Sequence, residues 1–149
     1  MATKIRLQAD LKEFLRSLGS NKVEYLLIGG YAVGYYGYPR PTGDLDVWVA
    51  MNPQNAQRIV SALEEFGFDA APNLFLTKNS VVRMGVSPFR LEILTTIDGV
   101  NFSECYESRE TVVIDDVEVS LINLRDLRRN KEASGRLKDL SDLENLPAV

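Results

Sequence analysis

Histidine is absent from all 149 residues, which removes Ser-His-Asp and Cys-His catalysis, histidine-ligated zinc and imidazole acid–base chemistry together. Cysteine is nearly absent. Cys105 stands alone, so the sequence offers no internal disulfide framework and nothing like a zinc-ligand cluster. Long apolar runs are missing as well: the longest, Tyr25 to Ile28 with the glycines that follow, is far too short to span a bilayer. Residues 1–18 alternate charged and apolar side chains without a stretch of secretory length, so the expected address is the cytoplasm, with no membrane contact. An excess of positive charge is also lacking. Seventeen Lys and Arg against 21 Asp and Glu give a net charge of -4, opposite in sign to the electrostatic footprint of a nucleic-acid binder. Chemistry is left to carboxylates, Lys, Arg, Tyr, Ser and Thr.

What is present fits an ordinary globular chain. Hydrophobic residues at 45% and charged residues at 26% argue against both a disordered and a fibrous protein. The length suits one core, so residues 1–149 are expected to form a single domain in which every motif shares that core. Leu7, Leu11, Phe14, Leu15 and Leu18 mark one face of an opening helix over 7–18, with Gly19 placed to stop it. Val23 to Ile28 reads as a strand that ends in Gly29-Gly30 before a helix-compatible segment. After the breaker Pro39 to Gly43, the alternation of Asp44, Asp46 and Trp48 against Leu45, Val47 and Val49 predicts a second strand. Asn52-Pro53 starts a helix closed by Gly67. Residues 74–77, 80–87 and 90–96 read as three more strands, and 112–114 with 118–122 as a hairpin turning at Asp115-Asp116. Asn123 caps a helix that Gly135 ends, and a last helix covers roughly 137–146. Helices interleaved with runs of strands predict an α+β domain on a mixed β-sheet with flanking helices.

Within that outline one constellation carries chemistry. Asp44 and Asp46, two apart on a strand, project from the same face. Side by side they repel, and a divalent cation between them removes that cost most simply. Hard oxygen ligands suit magnesium, which completes its shell with water and substrate phosphates. Gly29-Gly30, between a strand and a helix, lets bare backbone approach a phosphate at a helix N-terminus. Glu92, opposite in face to Leu91 and Ile93, supplies a third carboxylate. Blander readings stand beside these: a solvent-facing edge strand for Asp44 and Asp46, an exposed strand position for Glu92, and an ordinary turn for the glycines.

Taken in order, these residues resemble a known family. Gly29-Gly30-Tyr31-Ala32, about a dozen residues of helix and loop, then Arg40-Pro41-Thr42-Gly43-Asp44-Leu45-Asp46, is similar to the signature of the polymerase-beta-type nucleotidyltransferase superfamily. More narrowly it resembles the bacterial branch that contains abortive-infection toxins. In the C-terminal part Leu127, Lys131, Arg136, Lys138, Asp139 and Asp142 follow that branch's Lys-x4-Arg-x-Lys-Asp-x-x-Asp pattern. The resemblance spans about residues 23–143. It implies a nucleotidyltransferase fold, with Asp44, Asp46 and Glu92 as catalytic and metal-binding carboxylates for Mg2+ or Mn2+. It implies Gly29 and Gly30 as the phosphate-contacting turn and Lys131 as the basic residue of the last motif. Many members carry Ser where Gly30 stands and Asp where Glu92 stands, so here only a backbone N–H meets the phosphate, and the third carboxylate reaches one methylene further.

Supporting positions follow from the residues themselves. Arg40 and Thr42, in the loop that delivers Asp44, offer a guanidinium and a hydroxyl to phosphate oxygens, while Lys131 offers a point charge. Arg83 and Arg90 lie near the expected site face or its edge and are further candidates for phosphate contact. For Lys131 a solvent position, and for Arg136, Lys138, Asp139 and Asp142 a salt-bridged helix start, are equally open. The expected activity is transfer of a nucleoside monophosphate from a nucleoside triphosphate to an acceptor hydroxyl on RNA, protein or a small molecule, as a toxin–antitoxin component. The alternative is a non-catalytic module that keeps the fold to bind a nucleotide or a partner. A second copy of the chain or an antitoxin-like protein is the expected partner.

Overall fold

The computed structural model describes residues 8–37, 43–86 and 89–149. Helix α1 (Ala9–Ser20) begins where the Gln8 side chain accepts from the Asp10 and Leu11 N–H groups, and it buries Leu11, Phe14, Leu15 and Leu18 as the spacing predicts. Its end corrects the sequence reading. Gly19 lies inside the helix, and Asn21 caps it with an amide that donates to the Ser17 carbonyl at 2.8 Å. Strand β1 (Tyr25–Ile28) is buried throughout and runs into α2 (Gly29–Tyr36). Strand β2 (Asp44–Val49) is followed by α3 (Pro53–Glu64), capped by Asn52 and started by Pro53, whose missing N–H costs nothing there.

Residues 72–75 overturn the expected strand over 74–77. Pro72 starts a short 3₁₀ helix (Pro72–Phe75) that drives Phe75 fully into the core. Its four residues cannot alternate as a strand would, because one buried anchor fixes the turn against α3. Strands β3 (Val81–Val86) and β4 (Phe89–Leu94) follow. Beyond them a helix that the periodicity did not predict, α4 (Phe102–Glu107), is capped by Asn101, which accepts from the Glu104 N–H. The hairpin of β5 (Glu110–Ile114) and β6 (Val117–Leu121) turns at Asp115 and Asp116, both at positive φ, the turn geometry whose twist matches the strands. Asn123 caps α5 (Leu124–Ser134) by accepting from the Asp126 N–H at 2.7 Å, and Gly135 ends it in the left-handed region; α6 (Leu137–Asn145) follows.

The strands form one mixed sheet in the order β3-β4-β2-β1-β6-β5. β1 pairs antiparallel with β2 and parallel with β6, while β2 pairs parallel with β4. Trp48, Leu26, Leu27, Leu45, Ile93 and Leu121 are the fully buried centre of this α+β fold. On β2 the period of two puts Leu45, Val47 and Val49 on one side, and Asp44, Asp46 and Trp48 on the other. Trp48 shares the carboxylates' face but is buried, because α4 lays Phe102 edge-on against its ring and its indole N–H donates to the Thr95 carbonyl. Among the described residues no helix is long and apolar enough to cross a membrane.

Candidate active site

Asp46 is the centre of a row that crosses the sheet. Strand register sets it opposite Ile28 on β1 and Glu92 on β4, and Glu92 stands opposite Arg83 on β3. One step along, Asp44 stands opposite Arg90. The antiparallel β1–β2 pairing brings the first residue of α2, Gly29, directly over Asp46. Gly29 has φ +70°, and a Cβ built there would sink into the Asp46 Oδ2 atom and lie 3.1 Å from its Cβ and Cγ. Only glycine meets both demands, the left-handed backbone and the closeness to the carboxylate. Gly30 occupies the first turn of α2, which no side chain caps.

The two outer carboxylates are matched with cations. Arg90 donates through Nε and Nη2 to the two oxygens of Asp44 at 3.2 and 3.4 Å, and Arg83 Nε donates to Glu92 Oε2 at 3.2 Å. Asp46 is different. Its Oδ1 is buried and finds no hydrogen-bond donor among the described residues. Burial, then the negative charges of Glu92 and Asp44, push its carboxyl up to about 7, against the smaller opposing pull of Lys138 and Lys131. Asp44 adds in turn to the burial that raises the Tyr31 phenol.

A buried carboxylate oxygen without a donor, flanked by two more carboxylates, fits a hard divalent cation in its donor chemistry. The described residues contain no ready-made group of three converging His, Cys, Asp or Glu ligands. Asp44 and Glu92 instead face their arginines.

Lys131 departs from the reading of a lysine that reaches outward. It is only 5% exposed, and its Nζ lies 3.2 Å from both Asp139 Oδ1 and Asp142 Oδ2, two buried carboxylates of α6. Arg136 closes the cluster, its Nε 2.7 Å from Asp139 Oδ2. Burial opposes ionisation of Asp139, but hydrogen bonds from Arg136 and Lys131 outweigh it and hold the carboxyl below its usual range. Of the salt-bridged helix start that the sequence left open, the fold builds the part made by Arg136, Asp139 and Asp142, with Lys131 inside it and Lys138 outside. Arg40 and Thr42 lie outside the described residues.

For three residues that the sequence singled out, it did not show which carboxylate each would act on. Lys138, exposed and without an ion pair or hydrogen bond among the described residues, is the first positive charge acting on Asp46. Arg90 and Arg83 hold specific carboxylates, a role visible only through strand register, although each has the alternate position expected of a site-face residue. Away from this row, a cavity of about 460 Å³ lies between α4 and the start of α5, lined by Asn101, Glu104, Arg125 and Arg129 among others. The Cys105 thiol at its wall is pushed up to about 12 by burial and by Asp126, so it stays protonated near neutral pH.

The fold and the acidic row together define a nucleotidyltransferase-type protein. Residues 7–149 match the family described as "Nucleotidyl transferase of unknown function (DUF2204)", and the chain belongs to that family. No curated protein sequence matches it. Among solved structures it is similar in fold to a provisionally assigned nucleotidyltransferase from Thermotoga maritima, with TM-score 0.62 and 16% identity over 91% of this chain and 89% of that one. It is similar also to an antigenic nucleotidyltransferase-like protein from Paracoccidioides brasiliensis, with TM-score 0.55 and 16% identity over 91% of this chain and 72% of that one.

Proposed function

We propose that this chain transfers a nucleoside monophosphate from a nucleoside triphosphate to an acceptor hydroxyl, with Asp44, Asp46 and Glu92 as the ligands of Mg2+ or Mn2+. The observation that carries the reading is the Oδ1 of Asp46, buried beneath the Gly29 backbone with no donor among the described residues. A carboxylate with one oxygen buried and without a donor among the described residues, set between two other carboxylates, destabilises the fold unless a cation or a proton joins it. Bound there, the ion supplies positive charge to the triphosphate and lowers the pKa of the attacking hydroxyl.

The chain's own groups divide the remaining work. Gly29 and Gly30 present backbone N–H groups at the start of α2, where the helix terminus favours negative charge. Arg40 and Thr42 contact phosphate oxygens, and Lys131 adds long-range positive potential from within its cluster. Glu92 accepts the proton of the acceptor hydroxyl. The new P–O bond forms to the α-phosphorus as the bond to pyrophosphate breaks, and positioning and electrostatics provide most of the rate enhancement. The motif pattern over residues 127–142 supports a bacterial toxin–antitoxin role in the cytoplasm, with an antitoxin-like protein or a second copy as partner. RNA, protein and small molecules remain the acceptor classes, and the net charge of -4 favours the latter two.

The Arg83–Glu92 and Arg90–Asp44 pairs favour a second reading, a non-catalytic nucleotide-binding module, because they give both outer carboxylates a counter-ion without metal. Thermal unfolding with each nucleoside triphosphate plus Mg2+ or Mn2+ separates the two. The enzyme reading expects a metal-dependent rise that Asp44→Ala/Asp46→Ala abolishes, followed by label transfer from an α-phosphate-labelled triphosphate. A rise with nucleotide that ignores metal and both aspartates establishes the module instead.

A further inference from the structure

We propose that Arg83 and Arg90 form a counter-ion latch: they hold Glu92 and Asp44 in the metal-free protein and pass to the triphosphate when a divalent cation takes those carboxylates. The inference rests on the proposed metal role of Asp44, Asp46 and Glu92. It assigns a ligand class, polyphosphate, to two side chains that would otherwise be surface ion pairs.

Geometry carries it. Both arginines sit in register with the carboxylates they hold, Arg83 across β3–β4 from Glu92 and Arg90 across β4–β2 from Asp44. Both guanidinium groups are accessible, at 63% and 43% side-chain exposure, while their partners are less so, at 16% and 36%. The cations therefore sit on the solvent side of the acidic row, where an incoming anion arrives. Asp46, in the middle, meets no arginine among the described residues. The row thus offers one dry carboxylate and two that are reversibly neutralised.

Charge accounting explains the exchange. Without metal, two arginines offset two of three adjacent carboxylates, which limits the repulsion that the row would otherwise store. A divalent cation takes over that neutralisation and leaves two guanidinium groups beside a site where a triphosphate brings several negative charges. The planar fork of arginine suits phosphate oxygens as well as it suits carboxylate. Exposed ion pairs of this kind are weak enough to be given up for such a partner.

The latch predicts opposite effects on two ligands, which a merely structural pair would not produce. In Arg83→Gln/Arg90→Gln the competing cations are gone, so Mn2+ alone, followed by its electron paramagnetic resonance signal, binds about fivefold more tightly than to wild type. Inorganic triphosphate, titrated with Mn2+ in excess, binds about tenfold more weakly. Arg83→Lys/Arg90→Lys keeps the charge without the fork. It is expected to restore the wild-type Mn2+ affinity and only part of the triphosphate affinity. Unchanged affinities in the Gln variant, or both weakened together, overturn the latch. Asp46→Asn serves as the separate control: if wild type and this variant bind Mn2+ alike, the metal reading fails and the latch falls with it. Asp46-dependent binding that is indifferent to both arginines sinks the latch alone.

Discussion

Asp46 is an aspartate whose folded environment disfavours its charge, and that has a measurable sign. Its carboxyl is raised from 3.8 to about 7. The folded state therefore binds more protons than the unfolded state between these values, and stability falls as pH rises. The stabilisation is complete below about pH 3.8 and is lost as the pH rises through about 7. In chelator, Asp46→Asn is expected to match wild type near the lower value and to exceed it at pH 8 by about 2–4 kcal/mol in urea unfolding. Equal stability at both ends would show that the carboxylate is solvated. Gly29 gives a second prediction. Alanine there meets a positive φ and the Asp46 carboxylate at once, so Gly29→Ala is expected to lose about 1–2 kcal/mol or more and the thermal response to metal. A variant that kept both would place Asp46 elsewhere. The repulsion between Asp44 and Asp46 was legible in the sequence, but the closeness of Gly29 to Asp46 was not, because it exists only once β1 and β2 pair.

At the scale of elements, local chemistry was the most readable. Asn52 with Pro53, Asn123, Gly135 and the Asp115-Asp116 turn each mark a boundary that the structure keeps, since caps and turns involve atoms within a few residues of each other. The failures have local causes too. Pro72 and Phe75 make a 3₁₀ turn in four residues too few to show a period, and α4 spans only six, with Asn101 and Glu104 as its one signal. The pairing of α5 with α6 was open in the sequence and is decided by burial. Lys131 reaches Asp139 and Asp142 in a site that water barely enters. Lys131→Ala removes the ammonium that two buried carboxylates share, leaving Asp139 to Arg136, and is expected to cost about 3 kcal/mol, read from the urea midpoint. A loss under about 1 kcal/mol would mean that α6 docks by other contacts, such as the Arg128 guanidinium on the Leu143 and Leu146 carbonyls.

For the whole molecule the sheet sets what is cooperative. β1 and β2 come from early sequence, yet β1 also pairs with β6, so Leu27 opposite Leu121 ties the two ends of the chain together. Leu27→Ala in this fully buried strand is expected to cost about 3 kcal/mol, whereas Val113→Ala on the exposed edge strand β5 should stay within about 0.5 kcal/mol. Both variants should unfold in one transition; two separate transitions would divide the single domain expected for residues 1–149. The sequence by itself determined the carboxylate spacing of Asp44 and Asp46, the alternation of β2, the caps and the family signature, all of which depend on neighbours in the chain. Tertiary structure alone decided that Arg83 and Arg90 hold Glu92 and Asp44, that Lys131 is buried in a salt cluster, and that Asp46 is left dry beneath Gly29. Those outcomes depend on strand register and helix docking, which join residues tens of positions apart, and a charged side chain carries no mark of which distant partner will meet it.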